Sequence, residues 1–131
     1  MIVLKDQKIA RNPIARAVAA QQLKKRMVDH RIQLFMLDEG VDAKEHIMPI
    51  SDSIFIMAYA LQLDGKEDSI EHRKLRSAML VLVDCSERRF IWHKADTITI
   101  DNAIDICVSN WTKVSSNTLQ DAMNHILGTI R

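Results

Sequence analysis

Glycine and proline are scarce, with three and two residues in a chain of 131. Tight hairpins and sandwich corners lean on those residue types, so a many-stranded β architecture is disfavoured and a few longer elements are expected. Only two cysteines are present, Cys85 and Cys107, and both sit inside apolar runs. That usage fits free thiols in a core better than a disulfide framework, which a chain of this length does not need. No long hydrophobic run exists either: the longest, Ile54 to Leu61, has eight residues, whereas a membrane span needs about 20. Four apolar residues, Met1 to Leu4, precede the first charge, Lys5, too few for the apolar core of a secretion signal, and a cytoplasmic setting is expected.

What the chain does have is an ordinary globular make-up, 47% hydrophobic and 27% charged, which argues against disorder. No repeat, low-complexity tract or long linker divides it, so residues 1–131 read as one helical domain, with residues 1–12 allowed as an extended N-terminal arm. Charge is unevenly spread. Residues 1–31 hold eight Lys/Arg against two acidic residues, a net +6, and the remaining hundred hold ten against fifteen, a net −5.

The pattern predicts a mainly α fold, a compact bundle of about five helices. Asn12-Pro13 is a helix-start signal, and nothing breaks a helix from Ile14 to about Leu37, where Gly40 follows as a stop. On that helix Ile14, Ala17, Val18, Val28, Ile32, Phe35 and Met36 share a broad face, while Leu23, Met27 and Leu34 form a narrower second stripe. Residues 41–50 read as irregular around Pro49, with Ser51-Asp52-Ser53 offering caps for a buried helix over Ile54–Leu63 that Gly65 ends. Asp68 and Glu71 have the spacing of a capping box and open a third helix to about Cys85. Its β-prone run Ala78–Val83 leaves a strand as the alternative there. Phe90-Ile91-Trp92 and the Thr97-Ile98-Thr99-Ile100 alternation are compatible with a small β-hairpin near residues 89–100. Two C-terminal helices follow, from about Asp101 to Val114 and from Asn117 to Arg131. They are expected to pack against each other through Ile104, Cys107, Trp111, Met123, Ile126 and Leu127. Gly40, Gly65 and Gly128 all read as helix ends.

No constellation in the sequence carries a reaction. The histidines (His30, His46, His72, His93, His125) and the two cysteines form none of the paired spacings of zinc sites, so neither a metal nor another cofactor is expected. A nucleophile elbow and a phosphate loop are both missing, and no catalytic residue is assigned. Asp64, Glu67, Asp68 and Glu71 cluster, but without the alternating oxygen ligands of a calcium loop, and read as a solvated helix start. Asp64-Gly65 followed by a helix-starting glutamate resembles the interhelical turn of tellurite-resistance TerB-like helical domains; the likeness ends with that turn and implies no site.

Three functions stay open. The leading expectation is a non-enzymatic protein-binding module, an adaptor, regulator or stoichiometric inhibitor, with Leu23, Met27, Leu34 and Trp92 as candidate interface residues. The surplus stripe on the first helix also suggests a homodimer. The alternative is a nucleic-acid-associated regulator using Arg16, Lys24, Lys25, Arg26 and Arg31, residues that would serve equally to contact an acidic partner. The third is a small-ligand binder or enzyme with a site assembled from dispersed residues.

Overall fold

The computed structural model describes residue 25 and residues 29–130, the last two by their backbone alone. Residues 29–38 are helical (α1). They are followed by α2 (Ala43–Leu63), α3 (Ile70–Glu87), a 3-10 turn (Lys94–Asp96), α4 (Thr97–Trp111) and α5 (Ser116–Ile130). The helix expected from Ile14 is observed over its described part, 29–37, and runs one residue further. Its start at Asn12-Pro13, and Ile14, Ala17, Val18 and Val28 with it, lie outside the described residues.

The central element is α2, which begins eleven residues before the expected position because residues 43–50 are helical as well. Ile47, Ile50, Ile54, Met57 and Leu61 recur at spacings of three and four, and each is at most 2% exposed. That continuous apolar stripe outweighs Pro49, which only withholds an N–H from the exposed Glu45 carbonyl. Gly65, at φ 74°, closes the helix, with Lys66 N–H donating to Leu61 O at 2.8 Å and Gly65 N–H to Gln62 O at 3.0 Å. This double closure satisfies carbonyls that the helix end would leave bare.

The start of α3 is capped by Ser69 rather than Asp68, the Ser69 hydroxyl accepting from His72 N–H at 3.1 Å. Residues 78–83 lie within it. Its end explains why the expected hairpin does not form. Phe90 N–H donates to Cys85 O at 2.9 Å and Arg89 N–H to Ser86 O at 3.2 Å, the same closure as at Gly65. Here, however, the left-handed positions are taken by Arg89 (φ 59°) and Phe90 (φ 61°). Thr97-Ile98-Thr99-Ile100 is the first turn of α4, where Ile100 is fully buried and Ile98 is 71% exposed. There is no strand among the described residues.

Packing is organised around α2, against which α3, α4 and α5 all pack; α3 also contacts α4. The two C-terminal helices therefore do not pair with each other as expected. Ile104 and Cys107 on α4, and Leu119, Ala122 and Leu127 on α5, reach the core through α2. Gly128 lies inside α5 and ends nothing. Direction follows from cross-links. Thr118 Oγ1 donates to Asp64 at 3.2 Å, and the Tyr59 and His125 rings stack with centroids 4.1 Å apart, so α5 runs antiparallel to α2. The short 64–69 turn makes α3 antiparallel to α2 as well. Hence α3 and α5 are parallel to each other. On the opposite side α1 runs antiparallel to α4, since Asp38 accepts from Thr97 while Arg31 reaches Asp101 and Asp105.

Candidate binding cleft

At 100° per residue, Ser53 lies on one face of α2 and Phe55, Tyr59 and Gln62 on the opposite one. These two faces have opposite characters. On the first, His30 of α1 is 2% and Ser53 1% exposed. His30 Nε2 lies 2.6 Å from Ser53 Oγ and Nδ1 lies 2.7 Å from Gln33 Oε1. With Gln33 accepting, Nδ1 carries the proton and Nε2 accepts the serine hydroxyl. Cys107 Sγ donates to the Ser53 carbonyl at 3.8 Å. Serine, imidazole and orienting group stand in the order of a nucleophile and its base. Burial of both Ser53 and His30 closes them to a substrate, and the group acts as a clasp holding α1 to α2. Burial also pushes the Cys107 thiol up to about 12. The Cys85 thiol is raised by burial first and by the Asp96 charge second. Both cysteines are free and buried.

The second face is open. Because α3 and α5 rest on α2 without comparable contact between them, a cleft of about 410 Å³ remains above the floor formed by Phe55, Ala58, Tyr59 and Gln62. His72, Arg76 and Met79 of α3 form one wall, Ile126 of α5 stands opposite, and Glu67 and Asp68 of the turn close one end. The size lies within the range of small-molecule and peptide pockets. Beyond the cleft, Leu80 and Val83 follow Arg76 and Met79 at i+4 on the same face of α3, 71% and 45% exposed. Two of the polar lining groups have unused capacity. His72 is only 6% exposed, yet its Nδ1 has no hydrogen-bond partner among the described residues. Arg76 enters no ion pair with Glu67 or Asp68, although all three line the same cleft.

The residues singled out from sequence are scattered elsewhere. Arg16, Lys24, Arg26, Leu23 and Met27 lie outside the described residues. Lys25 is exposed, and Arg31 holds Asp101 and Asp105 of its own chain. Leu34 is 5% exposed and belongs to the core, whereas Ile32 and Phe35, assigned to the core face, are 56% and 62% exposed. The helix is rotated relative to expectation because His30, a polar residue on the narrow stripe, finds partners inside. The Leu23/Met27/Leu34 surface thus loses Leu34 to its own core. Trp92 is half-buried, and its indole N–H donates to Asp38 Oδ1 at 3.0 Å; its bonding capacity is used within the chain. Glu67, Asp68, His72 and Ile126 of the cleft stand out in the sequence for other reasons, and none of the lining residues is assigned there to a binding site. A signal was present, for Phe55, Tyr59 and Gln62 share a face of an otherwise apolar helix.

No group of three or more histidine, cysteine or acidic side chains among the described residues is placed to hold a metal ion, and no described helix is long and apolar enough to cross a membrane. Comparison of the chain with protein-family models, curated proteins and solved structures gives no match.

Proposed function

We propose that this protein is a non-enzymatic protein-binding module that receives an apolar segment of its partner in the cleft between α3 and α5. The observation that carries the reading is the open cleft itself, with the exposed Leu80 and Val83 following Arg76 and Met79 at i+4 on the same face of α3. A groove floored by one helix and walled by two is the form in which helical proteins accept the apolar face of another segment. An adaptor, a regulator or a stoichiometric inhibitor would each work this way, without chemistry of its own. The free thiols of Cys85 and Cys107 support a cytoplasmic setting. The nucleic-acid alternative draws less support, since Arg31 is engaged by two carboxylates of its own chain.

Selection from a displayed library of random peptides, followed by amide NMR shift mapping, tests the reading. Enriched peptides should perturb Phe55, Tyr59, Met79 and Ile126, and the rim variant Leu80→Glu/Val83→Glu, which leaves the core untouched, should lose binding. Peptides that map away from the cleft, or that bind the rim variant equally, would overturn it. A defined turnover of a small molecule by the purified chain would overturn it too.

A further inference from the structure

The charges around the cleft are ordered along its length. Gln62 at the C-terminal end of α2 and Glu67 and Asp68 of the following turn stand at one end; despite Lys66, the turn from Asp64 to Asp68 is net acidic. Arg76 stands on the wall of α3, about two helical turns further on, a separation on the order of 10 Å at 1.5 Å per residue. Between the two charged regions lie the apolar surfaces of Ala58 and Tyr59 and the side chain of His72. Glu67, Asp68 and Arg76 are exposed, and neither acid is paired with the guanidinium. His72, almost fully buried, keeps its Nδ1 without a partner among the described residues. The cleft therefore presents acid, then apolar surface, then a cation.

We infer that the occupant is an amphipathic helix of a partner protein lying antiparallel to α3 and α5, with acidic residues in its first turn set against Arg76 and basic residues in its last turn set against Glu67 and Asp68. The inference rests on the docking reading above and adds the partner's chemistry and direction. Three physical arguments agree on it. A helix spans about 10 Å in seven residues, so residues at i and i+7 on one face match the separation of the cleft's charges. Acids near a helix N-terminus and bases near its C-terminus are the placements its own dipole favours, so the required sequence is also a good helix. The parallel α3 and α5 both start at the acidic end of the cleft, and a helix running the opposite way sets its dipole against both. The reverse orientation would put like charges together at both ends.

Three synthetic helical peptides with the same leucine face separate the outcomes. One carries glutamates in the first turn and lysines in the last, one has these charges exchanged, and one has glutamine at all of them. In low salt the first should bind about tenfold more tightly than the second, with the third between them, and the difference should shrink as salt rises. Arg76→Glu should remove most of the preference without unfolding the chain. A nitroxide on the C-terminus of the first peptide should broaden the amide signals of Gln62, Glu67 and Asp68, and one on its N-terminus those of Leu80 and Val83. Equal binding of all three peptides, or the opposite broadening pattern, overturns the inferred direction while leaving the docking reading standing. Failure of all three to bind overturns both.

Discussion

His30 and His72 are both nearly buried, 2% and 6% exposed, on opposite sides of α2. The first has partners on both ring nitrogens, Ser53 and Gln33; the second has an Nδ1 with none among the described residues. A buried polar group that is satisfied specifies packing, whereas one left unsatisfied adds a cost without fixing a neighbour in place. The difference separates the two faces of α2: one is committed to holding α1 in place, and the other carries the open cleft.

The largest effect is expected on the committed face. His30→Ala removes the ring, leaves a void and strands the Ser53 hydroxyl, and should cost about 3 kcal/mol in urea unfolding. A loss below about 1 kcal/mol would mean the clasp does not hold α1, and the contrast with His72 would collapse.

The pH dependence of the same face is next in size. Cys107 is raised from 9.0 to about 12, so the folded chain keeps its thiol proton where the unfolded chain has lost it. Its contribution to stability is full below pH 9 and falls by about 1.4 kcal/mol per pH unit between 9 and 12. Stability curves for the native chain and Cys107→Ala should therefore diverge in slope above pH 9, and parallel curves would show the thiol is not sequestered.

On the open face a smaller change is expected. His72→Leu replaces an unsatisfied buried group by an apolar one of similar bulk, and stability should stay within about 1 kcal/mol of the native value or rise. A loss above about 2 kcal/mol would show that His72 is as structurally committed as His30. The smallest effect belongs to Arg31→Gln. Its two ion pairs are exposed, with the Arg31 side chain 42% accessible, so the cost should be about 0.5 kcal/mol and vanish in high salt.

The parts of the fold that were legible in the sequence are those where local pattern and tertiary environment agree. Helix ends marked by Gly40 and Gly65 are observed at those residues, with φ of 77° and 74°. The helix over Ile54–Leu63 is present for the same reason it was expected, an apolar surface on nearly every side. Errors arose where a context-dependent choice overrode a local signal. The end of α3 falls within two residues of the expected Cys85, but Arg89 and Phe90 occupy left-handed positions with no glycine to announce them, and the turn they make stands where a hairpin is compatible with the local pattern. Pro49 read as a break, yet the Ile47–Ile50–Ile54 stripe carries the helix through it. The cleft was illegible for a different reason. Its residues come from α2, α3, α5 and one turn, and nothing in the chain order of Tyr59, His72, Arg76 and Ile126 says that they share a wall.

Asp38 closes the last turn of α1 and accepts hydrogen bonds from Trp92 Nε1 and from the Thr97 hydroxyl. One of the chain's two tryptophans is thereby wired to the end of α1, while the other, Trp111, sits at the opposite end of α4, about 20 Å away along the helix. In a Trp111→Phe background the emission of Trp92 becomes an optical gauge of a single event, the lifting of α1 from the bundle. Water reaching the freed indole shifts that emission to the red, whatever α3 and α5 are doing on the other side of α2.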